Sequence, residues 1–179
     1  MDADQVIAVL AGFPGTRIVE GNGDAFAIHD PDHDYEQRPR QGWATVVRSD
    51  VNDTASDLDR PGAFRLNIGL PTARYRELFP TDPGTDPTSR DVLFPHPVYA
   101  AYHWVAVVEP VTSWPLVREL LDVAHDFAVR KHVPRRPVPH PLIVADTSPG
   151  GSVPRQVARR STGGRQEADG SDAARANRS

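Results

Sequence analysis

Apolar positions along the first 132 residues switch repeatedly between helical and strand spacing. Val6, Ile7 and Leu10 share one face of a helix predicted from about Asp4 to Ala11, which Gly12 and Pro14-Gly15 end. Thr16 to Glu20 reads as a strand running into Gly21-Asn22-Gly23, a hairpin turn in which Gly and Asn tolerate positive φ. The return strand, Asp24 to Ile28, puts Ala25 and Ala27 on one side and Phe26 and Ile28 on the other. Trp43 to Arg48 is a further strand. Ala63 to Ile68 alternates with period 2, so Phe64, Leu66 and Ile68 face the core while Arg65 and Asn67 face away. Thr72 to Phe79 reads as a short helix and Tyr102 to Glu109 as a strand closed by Pro110. The longest element is a helix after Ser113, which is placed to cap it, with Pro115 tolerated in the first turn. Its stripe is Leu116, Leu120, Val123 and Phe127, with Val117, Leu121, Ala124 and Ala128 alongside.

This order lacks regular βαβ alternation and predicts an α+β domain over residues 1–132, an antiparallel sheet with helices mainly on one face. After His132 the character changes. Val133 to Pro141 holds four prolines, and the chain beyond Ser148 is rich in Gly, Ser, Arg and Ala, so residues 133–179 read as a disordered tail. Leu142 to Ala145 is the one stretch there able to dock as an edge strand.

Charge sharpens this division. Residues 1–132 hold 20 acids and 12 bases, a net charge of −8, while the remainder carries 4 acids and 8 bases. Lys131 is the only lysine, and the arginine excess fits GC-rich coding better than nucleic-acid affinity. An acidic body repels a duplex whose phosphates supply most non-specific affinity. With no cysteine, disulfides, thiolate metal sites and cysteine nucleophiles are excluded. The acidic N-terminus and the lack of a long apolar run predict a cytoplasmic protein.

Candidate chemistry is sparse. His29-Asp30-Pro31-Asp32-His33-Asp34 offers oxygen and imidazole ligands, but lacks the fixed spacing of a calcium loop and reads as a solvated acidic turn. His96 and His103 flank Pro97 to Tyr102; a loop-capping His96 and a surface His103 on a strand are preferred to a catalytic pair, since nothing supplies an oriented nucleophile. In the loop before the Ala63 strand, Asp57 and Asp59 can pair with Arg60 or Arg65, or Arg60 can take an anionic group. Arg65 and Asn67 line the sheet face left uncovered, beside Trp43 or Trp104. The candidate ligand site is therefore Arg65, Asn67, His96 and Trp104, with Asp59 and Arg60 at its edge; no metal or cofactor is expected.

Several stretches together carry a resemblance: Ile7 to Gly15, Trp43 to Val47, Leu58 to Gly69, His96 to Ala100, Trp104 to Val108, and Ala124-His125 in the last helix. Over residues 5–132 the chain resembles a bacterial family of uncharacterised proteins, the domain of unknown function DUF6194, which implies no known activity. More distantly the layout is similar to MmcQ/YjbR-like, or double-wing, proteins, and a shared layout does not carry function. The chain departs from the DUF6194 pattern where His33 replaces a small turn residue, His103 a smaller residue and Glu109 an Asn. A non-catalytic cytoplasmic binding or accessory module is the leading reading. Its alternative is a small-molecule binder or enzyme on the Arg65–Asn67–His96 face. A double-wing nucleic-acid binder ranks last, so a protein or small-molecule partner is favoured over nucleic acid, and no membrane is expected.

Overall fold

The computed structural model describes residues 1–134. Three α-helices, α1 (Ala3–Ala11), α2 (Thr72–Leu78) and α3 (Trp114–Lys131), accompany six strands: β1 (Thr16–Gly21), β2 (Asp24–His29), β3 (Ala44–Val47), β4 (Arg65–Gly69), β5 (Leu93–Pro95) and β6 (Trp104–Val108). The strands form one sheet in the order β1-β2-β3-β4-β6-β5, every neighbouring pair antiparallel. The fold is α+β. No helix among the described residues is long and apolar enough to cross a membrane. The expectations for residues 135–179, including the Leu142 to Ala145 edge strand, fall outside the described residues.

Local chemistry accounts for the first elements. Asp2 accepts the Gln5 amide at 2.8 Å while the Gln5 side chain accepts the Asp2 amide, a reciprocal cap that starts α1. Gly21 pairs with Asp24 across a two-residue loop whose Asn22 and Gly23 both have positive φ, 54° and 84°. That geometry matches the twist of the strands it joins.

All three helices pack on one side of the sheet. Val6, Leu10 and Phe13 join Val117, Leu120, Leu121 and Ala124 over Ala25, Ala27, Ala44, Val46, Leu66, Ile68, Val105 and Val107, with Tyr75, Leu78 and Phe79 of the α2 region at the margin. On α3 the buried stripe is centred one position beyond the expected one, and Leu116 is exposed. His125 is buried in its place, its Nε2 2.9 Å from the Pro14 carbonyl oxygen and its ring against Phe13 and Trp43.

The other side of the sheet is not left open throughout. Val47, Phe94, Ala106 and Val108 form a second, smaller cluster with Leu58 and Ala63, so the connection between β3 and β4 folds over part of this outer face.

The start of α3 corrects another expectation. Ser113 has helical dihedrals and makes no side-chain cap. The carboxylate of Asp91 caps from outside, accepting the amides of Val111, Thr112 and Ser113 at 2.7–2.9 Å and the hydroxyls of Thr112 and Ser113. These donors, the Ser113 and Thr112 hydroxyls foremost, hold its carboxyl far below the usual carboxylate range. The strand β5 that follows Asp91 was not evident in the sequence, because three residues ending in Pro show no period.

His103 does not lie on a strand. It follows a 3-10 turn, Ala100–Tyr102, at φ 64°. His33 and Glu109 also have positive φ, 52° and 45°. His33, His103 and Glu109 therefore all stand in the left-handed region, where a Cβ is unfavourable and Gly or Asn fits. Replacing the exposed His33 by Gly is expected to stabilise the domain by about 1 kcal/mol, read as a higher urea midpoint at unchanged slope.

Candidate functional site

Strand register builds a row of two polar and three apolar side chains on the outer face. Phe26, Thr45, Asn67, Ala106 and Phe94 lie side by side across β2, β3, β4, β6 and β5. The next row holds Val47, Arg65 and Val108. Toward the other end Gly69 pairs with Trp104, whose indole lies so close that a Cβ on Gly69 would stand 3.1 Å from its ring carbons. Glycine there lets Trp104 lie over the sheet. A cavity of about 530 Å³ covers this face, lined by Phe26, Thr45, Asn67, Arg65 and Trp104. His96 and Tyr99 join it from the β5–β6 connection, and Asp24, Asn52 and Asp53 from the opposite side.

Arg65 is only 1 % exposed and forms the floor. Its Nε donates to Asn67 Oδ1 at 2.9 Å, Nη1 to Ser56 Oγ at 2.8 Å and Nη2 to Asp53 Oδ2 at 2.6 Å. Burial pushes the Asp53 carboxyl up, but the Arg65 hydrogen bond, the Ala55 amide and the guanidinium charge hold it below its ordinary range. Because Asn67 Oδ1 accepts the hydrogen bond from Arg65 Nε, its amide NH2 is the group left to present.

His96 is 2 % exposed. Its Nδ1 accepts the Val98 and Tyr99 amides at 3.1 and 3.2 Å, which places the ring proton on Nε2. Burial, and then the Arg65 charge, push its pKa down to about 4 against the pull of Asp53. Nε2 has no hydrogen-bond partner among the described residues, and it is not among the polar atoms sealed from solvent. The cavity thus meets a neutral imidazole with one uncommitted N–H.

A family model described as a family of unknown function, DUF6194, matches residues 1–137. The chain belongs to this family. No curated protein and no solved structure matches it.

Of the residues singled out from sequence, the DUF6194 fold brings Arg65, Asn67, His96 and Trp104 to one cavity. Asp59 and Arg60 lie elsewhere. Asp59 accepts the Asp50 amide at 3.0 Å, and Arg60 reaches Asp57 and Glu109. Trp43 is on the helix side, against Phe13 and His125. Asp53, Ser56 and Thr45 were not singled out. Their only sequence signal is membership of a polar loop or a strand, and Asp53 sits 12 residues from the arginine it neutralises.

The acidic turn is solvated only in its middle, at Pro31, Asp32 and His33. Asp30 and Asp34 are buried and share Arg40 Nη2, with Arg17 and Arg38 near them. Among the described residues, no group of three or more His, Asp or Glu side chains is placed to hold a metal ion.

Proposed function

We propose that this DUF6194 domain is a non-catalytic binding module that takes a small planar molecule bearing hydrogen-bond acceptors on the outer face of its sheet. The observation that carries this is the buried His96, fixed by two backbone amides and left with one N–H at the cavity. The Asn67 amide and Thr45 hydroxyl stand beside it as further donors, and Phe26, Tyr99 and Trp104 supply aromatic walls. Binding is favoured over catalysis because a histidine with its acceptor nitrogen occupied and its pKa lowered makes a poor general base at neutral pH. Asp53 offsets Arg65 and Asp24 adds negative charge, so polyanions, nucleic acid included, fit poorly. The same reading takes the protein as cytoplasmic and bacterial, with an MmcQ/YjbR-like layout.

Native mass spectrometry of protein purified gently from cells tests the proposal, with titration of planar amides such as benzamide followed by NMR. Thr45→Val keeps the shape and deletes one hydroxyl; it is expected to weaken binding about tenfold. Protein that carries no small molecule, with Asn67 and His96 signals that do not respond to the amides, would overturn the reading.

A further inference from the structure

We infer a second ligand site at the end of the sheet, between β3 and the last turns of α3, suited to a planar aromatic monoanion. A cavity of about 360 Å³ there is lined by Trp43, Trp104, Tyr102 and Phe127. That volume accommodates a two-ring compound. Lys131 stands at its edge, Nζ 3.9 Å from the Phe127 ring centroid, and makes no salt bridge among the described residues. Arg40 also lines the cavity but is committed to Asp30, Asp34 and the His29 and Arg38 carbonyls, while His132 Nε2 lies 3.0 Å from Asp32. Lys131 is therefore the cation available to a ligand.

Trp43, Trp104, Tyr102 and Phe127 offer aromatic surface to a ring, and the Lys131 ammonium, with no carboxylate partner among the described residues, suits one carboxylate on it. The site is distinct from the outer-face cavity but shares Trp104, Gln41 and Gly42 with it.

The test is titration of the protein with 2-naphthoate, read on the three tryptophan indole signals by nitrogen-proton NMR. Trp43 and Trp104 are expected to shift while Trp114, away from the cavity, does not. Lys131→Gln should weaken binding about tenfold, and the uncharged 2-naphthamide should bind more weakly than the acid by a similar factor. Thr45→Val, which alters only the outer face, should leave the 2-naphthoate affinity unchanged. The site is overturned if Trp43 does not respond, if Lys131→Gln binds like the wild type, if the amide binds as well as the acid, or if Thr45→Val removes binding. The last outcome would place the probe on the outer face.

Discussion

Replacing Asp53 with alanine is expected to destabilise the folded domain by about 3 kcal/mol, the largest single effect anticipated at the site. Arg65 is almost wholly buried and carries the positive charge of a guanidinium. Ser56 and Asn67 accept two of its hydrogen bonds, but among the described residues only Asp53 supplies the opposite charge in direct contact with it. Removing one partner of such a pair leaves an uncompensated charge in a poorly solvated place, which costs more than the pair itself contributes. Two comparisons separate this from loss of packing. Asp53→Asn keeps an acceptor at the same place and should lose less. Adding Arg65→Met to Asp53→Ala removes the orphaned charge and should restore part of the loss. Urea unfolding of the four proteins measures all of this; a double variant no more stable than Asp53→Ala would show that the charge is not the cause.

Stability is expected to fall as pH drops from 6.5 toward 4, by up to about 3 kcal/mol. An unfolded chain protonates His96 near 6.5, whereas in the folded domain burial and then the Arg65 charge hold its pKa at about 4. Between those values the unfolded state binds more protons. The contribution of a neutral His96 is thus complete above pH 6.5 and is lost progressively below it. His29 acts in the same direction, its pKa lowered by burial first and then by His125, His132 and Arg40. Asp53 acts lower, because its depressed pKa makes its contribution disappear only below the ordinary carboxylate range. His96→Gln keeps an acceptor for the Val98 and Tyr99 amides and cannot titrate, so its stability should vary less between pH 7 and 5. Equal pH slopes for variant and wild type would rule His96 out as the source.

Period-2 and helical patterns predicted β1–β4, β6 and the three helices because each reflects a local choice of which side meets the core. The Arg65–Asn67 face was legible for the same reason: alternation along β4 puts both opposite Phe64, Leu66 and Ile68. That face receives its neighbours, however, from strands and loops far apart in sequence. Thr45 joins Asn67 through the β3–β4 register, and Asp53 reaches Arg65 from a connection in which the sequence had pointed to Asp57 and Asp59 instead. No spacing rule chooses among three aspartates in one polar loop; the choice depends on which one the folded loop lays over the sheet. The cap on α3 has the same character, since Asp91 is 22 residues from the Ser113 amide it accepts.

By itself the sequence determined the α+β class, the side of each main strand that turns to the core, and the absence of thiol chemistry. Those depend on composition and on intervals of two to four residues. Tertiary structure alone decided that Arg65 is neutralised by Asp53, that His96 is a neutral donor, that α3 buries His125 in place of Leu116, and that the acidic turn folds around Arg40. Each of these requires side chains separated by many residues to meet in a place poor in water, and burial is what gives their charges and hydrogen bonds their strength.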